Sequence, residues 1–350
     1  MYLRFGWVVG NVGLLGTLLI VTLATSITFL TGLSIASIAT DQKVKTGGAY
    51  YMISRSLGIE SGGAIGVSLY FAQALSVALY TVGFAESVVA VFPSLNEKWL
   101  GIVTAILITG IALGSAKAAI RAQYVIMIGI GISLIALFLG SPIEETKIEL
   151  WGVRKEASVG FWTVFAVFFP AVTGIMAGVN MSGDLKNPKK SIPRGTFAAI
   201  GVGYLIYMTL PVLLAYSADA KTLVADPLIM RKISFWGDSI LIGVWGATLS
   251  SALGSILGAP RVLQALAKDN MLPKFLNWVG HGSGEYDTPR YGTIFTLAIV
   301  LTVVWLGDLN AIAPILTMFF LTTYGVLNIA AGTEKFLGSP SFRPTFKVSW

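Results

Sequence analysis

Phe168-Phe169-Pro170-Ala171-Val172-Thr173-Gly174-Ile175-Met176-Ala177-Gly178 lies within an uncharged stretch running from Ala157 to Gly183. About 20 apolar residues cross a bilayer, so the stretch is long enough to span, yet it carries a proline and two glycines at mid-depth. Proline removes one backbone donor and pushes away the carbonyl four residues earlier. The first half of such a helix therefore exposes carbonyl oxygens, and the second half exposes N–H groups. Carbonyls suit cations and N-terminal amides suit anions. The stretch reads as a membrane helix interrupted to hold ions.

Composition agrees. Of 350 residues, 55% are hydrophobic and 12% charged, which excludes an ordinary soluble domain. There is no cysteine, hence no disulfide framework and no thiol nucleophile, and the single histidine, His281, sits in a polar loop. Metal sites, catalytic triads and general acid–base chemistry lack the side chains they need, so the chain is expected to be neither an enzyme nor a cofactor carrier.

A buried charge is costly in lipid, so gaps between charged residues mark the spans. The gaps are 5–40, 61–85, 99–116, 122–143, 157–183, 195–218, 239–260, 291–307 and 309–333. The turn Gly10-Asn11-Val12-Gly13 divides the first gap, which makes ten segments. The loops after even-numbered segments collect Lys43, Lys45, Arg55, Lys117, Arg121, Lys186, Lys189, Lys190, Arg194, Arg261, Lys268, Lys274, Arg290, Lys335, Arg343 and Lys347. The other side holds Lys98, Lys147, Arg154, Lys155, Lys221, Arg231 and Lys232. This asymmetry predicts a cytoplasmic C-terminus, and the net charge of +7 needs no nucleic-acid partner.

From Met1 to Val9 the chain reaches only roughly 14 Å as a helix, about half of the hydrocarbon core. The first segment is therefore expected to be truncated. Arg4 with Leu14 to Ala24 also resembles a signal sequence, but the uncharged continuation to Thr40 argues against cleavage. The external loop 141–158 reads as a solvated connection. The stretches from Thr46 to Gly58 and from Ala259 to Gly280 are amphipathic, and Gly47 to Tyr51 and Lys268 to Pro273 read as short helices lying against the bundle, able to gate or to brace.

Arg4 to Gly10, Gly47-Gly48-Ala49-Tyr50-Tyr51-Met52-Ile53-Ser54-Arg55-Ser56-Leu57-Gly58, Tyr80 to Glu86, Phe168 to Gly183, and Gly258-Ala259-Pro260-Arg261 with Lys268-Asp269-Asn270 occur in this order. Together they resemble the cation-chloride cotransporter family, its sodium-potassium-chloride branch in particular, within the amino acid-polyamine-organocation superfamily. The resemblance implies an all-α polytopic fold of the leucine-transporter type. One transmembrane domain would be built from two inverted repeats, about 1–140 and 159–333, with the first and sixth helices unwound and a cytoplasmic tail starting at 334. It also implies an Asn-containing unwound stretch ahead of the residues matching Met1-Tyr2-Leu3, and further helices and a cytoplasmic domain that support a homodimer.

The oxygens near Pro170 and the Thr173 hydroxyl offer neutral ligands to a large monovalent cation, and the resemblance adds Tyr80 as a potassium ligand. The amides of Gly174, Ile175 and Met176 open the second half-helix, where the resemblance places a chloride with the Tyr324 hydroxyl. Tyr80 also suits an interfacial belt, and Tyr324 packing against Phe320. Ala247, Ser250 and Ser251 correspond by resemblance to a sodium site. Serines in membrane helices also bond back to their own backbone or permit close packing. Arg4 and Glu86 are expected to pair as an extracellular gate, or to reach the headgroups separately.

With no carboxylate left at mid-depth to neutralise a cation, anions are the cheapest companions for it. With what the resemblance implies, the expected function is that of a plasma-membrane secondary transporter that moves chloride with potassium and sodium by alternating access. Two readings stand beside it, an amino-acid permease of the same superfamily and a truncated, non-transporting membrane subunit.

Overall fold

The computed structural model describes residues 2–41, 47–114, 116–144, 147–152, 159–180, 187–284, 287–307, 309–337 and 342–348. Lys43, Lys45, Thr46, Arg154, Lys155 and Lys186, together with the side chain of Lys117, lie outside the described residues. Thirteen helices are described: α1 (Phe5–Asp41), α2 (Ala49–Leu57), α3 (Ile59–Val89), α4 (Glu97–Gly114), α5 (Ala116–Phe138), α6 (Phe161–Phe168), α7 (Ile175–Asn180), α8 (Pro188–Ser217), α9 (Ala220–Ala225), α10 (Ile229–Ile233), α11 (Gly237–Lys268), α12 (Arg290–Leu306) and α13 (Leu309–Phe336). Backbone polar groups in lipid must be satisfied within the segment, which leaves helices as the economical way across. Seven of these helices are long and apolar enough to cross a membrane, and Phe161–Val172 and Arg290–Leu306 are shorter apolar helices. Each of the ten expected segments has a helical counterpart.

The division of the first segment falls where the turn predicted it. Inside α1, Gly13 has φ 73 and ψ −179, so the helix is broken there and the arm 5–12 meets the arm that follows at a kink. Only glycine adopts this conformation readily. The freed N–H groups of Leu14 and Leu15 donate to the carbonyls of Glu149 (3.0 Å) and Leu150 (2.9 Å). The loop after α5, expected to be a solvated connection, thus caps the break, because open amides at that depth need a partner.

Loops hydrogen-bond within their own end of the bundle. At one end Ser141 donates to Ile233 and Ile143 to Ser217. At the other end, here the basic face, Lys189 donates to the Asp41 carbonyl (3.1 Å) and the Arg343 amide to the Asp41 carboxylate (2.6 Å). Phe346 stacks on Phe197 at 5.6 Å. The expected helix at Gly47–Tyr51 is present as α2. The stretch Lys268–Pro273 is instead the end of α11 and a turn, with a 3-10 helix following at Lys274–Gly280. Asn270, at φ 56, ends the helix there. Tyr50 on α2 donates to Asp269 at 2.6 Å. Burial first, and the Asp269 carboxylate next, push the Tyr50 phenol up, so it stays protonated and donating at neutral pH.

A Cβ at Gly13 would stand 2.6 Å from the Gly152 nitrogen and 2.8 Å from the Leu150 carbonyl. Gly13→Ala combines this clash with a disfavoured φ, and a cost of about 1–3 kcal/mol is expected. A clear fall in Tm of the detergent-solubilised protein, followed by tryptophan fluorescence, is the expected outcome; an unchanged Tm contradicts it.

Candidate functional site

The helix over residues 161–180 is interrupted. After α6 the chain tightens into a 3-10 turn at Phe169–Val172, leaves helical hydrogen bonding at Thr173 and Gly174, and resumes as α7. Proline at the second position of the 3-10 turn accounts for the change, since its missing N–H breaks the ladder.

The carbonyls freed by the break are not bare. The Pro170 carbonyl accepts from Thr173 Oγ1 (2.9 Å), Ala171 from the Tyr207 hydroxyl (3.4 Å), Val172 from Thr28 Oγ1 (3.0 Å) and Thr173 from the Tyr324 hydroxyl (2.6 Å). One turn earlier, Thr317 Oγ1 caps Ala166 at 2.7 Å. Hydroxyls from α1, α8 and α13 therefore replace the donors that a continuous helix would supply. An unsatisfied buried group costs about 1–3 kcal/mol, so this collar is what makes the break tolerable. Each carbonyl has a second lone pair and each hydroxyl two, so the ring remains rich in neutral acceptors.

Two cavities flank the break. One, of about 310 Å³, is lined by Tyr80, Pro170, Ala247 and Ser251, with Arg4 among its lining residues. The other, of about 450 Å³, lies between α1, the break and α8, and is lined by Thr28, Gly174 and Ile175. Ala171 and Tyr207 border both. Above the break, Phe5 contacts Phe168 and Tyr207 at ring distances of 5.6 and 5.7 Å.

The structure brings the expected cation ligands together. Tyr80 and Pro170 line the first cavity together, and the buried Thr173 hydroxyl is bonded to the Pro170 carbonyl. Gly174 and Ile175 open α7 on the other cavity, and Met176 is buried behind them. Tyr324 is fully buried; its ring meets Phe320 at 5.8 Å and its hydroxyl binds the Thr173 carbonyl. The expected packing against Phe320 is present, and the hydroxyl is engaged with the Thr173 carbonyl. Of the serine pair, Ser251 lines the first cavity while Ser250 Oγ bonds back to the Ala247 carbonyl at 3.2 Å. Adjacent helical residues point about 100° apart, so the two serines face different surroundings.

Arg4 and Glu86 form a bidentate pair, Nη1 to Oε1 at 2.7 Å and Nη2 to Oε2 at 3.0 Å, with side chains 12% and 22% exposed. Asn310, at the start of α13, accepts from Arg4 Nε at 3.0 Å. Sequence reasoning passed over Asn310, Tyr207 and Thr28. Tyr207 carried the signal that singled out Tyr80, a tyrosine deep in an uncharged span. Thr28 and Asn310 carried none beyond being polar in apolar surroundings.

A match to the amino acid permease family runs over residues 1–349. Solute carrier family 12 member 1 from Homo sapiens is 34% identical over 99% of this chain, and member 2 from Homo sapiens is 35% identical over the same share. Member 2 from Squalus acanthias is 33% identical, again over 99%. These matches take in 37%, 34% and 34% of the respective relatives, so the chain spans about a third of their length. The resemblance read from the motifs and the all-α, leucine-transporter-like bundle are borne out by these matches together with the helical architecture. The chain belongs to the amino acid permease family.

Proposed function

We propose that this chain is the transport domain of a secondary transporter that moves chloride with potassium and sodium, electroneutrally and by alternating access. The observation that carries the reading is the interrupted helix itself. Tyr80 and Pro170 line one cavity, Thr173 is bonded to the Pro170 carbonyl, and among the described lining residues the only ionised group, Arg4, is already paired with Glu86. Uncharged ligands bind a large alkali cation weakly enough to release it, and a co-bound anion supplies the missing charge.

In this reading potassium sits against Tyr80, Pro170 and Thr173. Chloride is held by the amides of Gly174, Ile175 and Met176 with the Tyr324 hydroxyl, which turns from the Thr173 carbonyl to the anion. Sodium is held by the Ala247 carbonyl, Ser250 and Ser251. The Arg4–Glu86 pair closes the outer path, and the basic face is cytoplasmic, as loop charge requires. Two halves, about 1–140 and 159–333, move against each other, and a homodimer is the assembly this reading carries. The matched family favours one rival, an amino-acid permease in which the α7 amides receive a substrate carboxylate.

Vesicles containing the full chain are expected to take up rubidium in a chloride-dependent manner that added amino acids leave unchanged. Competition by an amino acid would transfer the reading to the rival. Loss of one neutral ligand is worth about 1–1.5 kcal/mol, or roughly tenfold in affinity. Tyr80→Phe is therefore expected to raise the rubidium half-saturation about tenfold with chloride dependence kept, and Ser251→Ala to weaken sodium dependence without moving rubidium. Unshifted half-saturations in ion-titrated uptake remove those assignments.

A further inference from the structure

A second polar layer lies toward the basic face, on the same helix faces as the central site. Residues seven apart on a helix share a face and are separated by roughly 10 Å along the axis. Seven positions from Tyr80 on α3 is Gln73 and seven from Ser251 on α11 is Gly258, while Asn180 stands at the end of α7 past the break. The three meet. A Cβ placed on Gly258 would stand 2.5 Å from Gln73 Oε1 and 3.5 Å from Asn180 Nδ2.

Gln73 is 5% exposed and Asn180 1%. Among the described residues, Gln73 Oε1 and both polar atoms of the Asn180 side chain have no hydrogen-bond partner. Buried amides are ordinarily paired, and a group left open at such depth marks a place where something else binds. Beyond Asn180 stands Gly48, at φ 52, packed so closely that its Cβ position lies 2.0 Å from Asn180 Oδ1. The same turn starts α2, which Tyr50 ties to the end of α11 through Asp269.

We propose that Gln73 and Asn180 form a second stopping point for the transported alkali cation, between the central site and the basic-face mouth, sealed in this state by the Gly47–Gly48 turn. The inference rests on the cotransport reading. Two amide oxygens are the same kind of neutral ligand as those of the central site, so a cation passes between them without a change in ligand chemistry. Neither amide gives up a protein hydrogen bond to turn its oxygen toward the ion. Gly258 supplies the space, because any side chain there would occupy it.

The test is made with the full chain in vesicles, with rubidium as the probe. Gln73→Leu, Asn180→Leu and Gly258→Ala are each expected to slow rubidium release at the basic face at least fivefold, while half-saturation for entry from the opposite face stays within twofold. Gly258→Ala keeps the fold, since the close contact of its methyl is with the flexible end of Gln73 and Asn180 lies at ordinary van der Waals distance. A structure determined in rubidium should show the ion between the two amides of the unaltered chain and not in Gly258→Ala. Wild-type uptake with release unchanged in Gly258→Ala, or rubidium at the central site alone, overturns the inference and leaves the cotransport reading standing. No chloride-dependent rubidium uptake by the wild-type chain overturns both.

Discussion

A main-chain break inside lipid survives only where every freed carbonyl finds a donor, and this constraint organises the centre of the molecule. Here hydroxyls from neighbouring helices supply the donors. Thr28, Tyr207, Thr317 and Tyr324 do so from three helices that are far apart in sequence. The collar fixes where α1, α8 and α13 stand against the break, and with it the walls of both cavities.

Under the proposed function, the same hydroxyls suit a site that must empty. A hydroxyl rotates, and it can donate to a carbonyl in one state and turn its lone pairs to a cation, or its proton to an anion, in another. An ionised carboxylate at mid-depth would hold a cation far more firmly and would cost more to bury. The ionised residues are held as a pair, Arg4 against Glu86, with Asn310 holding the guanidinium in line. The central layer and the Gln73–Asn180 layer beneath it are built from neutral oxygen and nitrogen alone.

Much of the fold was legible in the sequence. Gaps between charges located the spans because the penalty for burying charge in lipid depends on composition and length, not on packing. Gly13 was legible as a division because a glycine-bounded turn inside an apolar run has few other uses. Pro170 with Gly174 marked the break for the same local reason. Of the site, Tyr80, Thr173, Ser251 and the Arg4–Glu86 pair were legible as polar groups in apolar surroundings that need a purpose there. Ser250 and Ser251 were indistinguishable until the helix was oriented, one lining the cavity and the other bonded to Ala247.

The sequence by itself determined the membrane class, the number of segments, the two-faced distribution of charge and the position of the interruption, all of which follow from local hydropathy and from the backbone limits of proline and glycine. Only the tertiary structure decided which hydroxyls close the broken ladder, that Asn310 completes the Arg4 clamp, that the loop at 149–152 caps the Gly13 break, and that Gln73, Asn180 and Gly258 meet. These are contacts between residues tens to hundreds of positions apart. Their distances are set by how the helices pack, and no periodicity within one segment encodes the rotation of its neighbours.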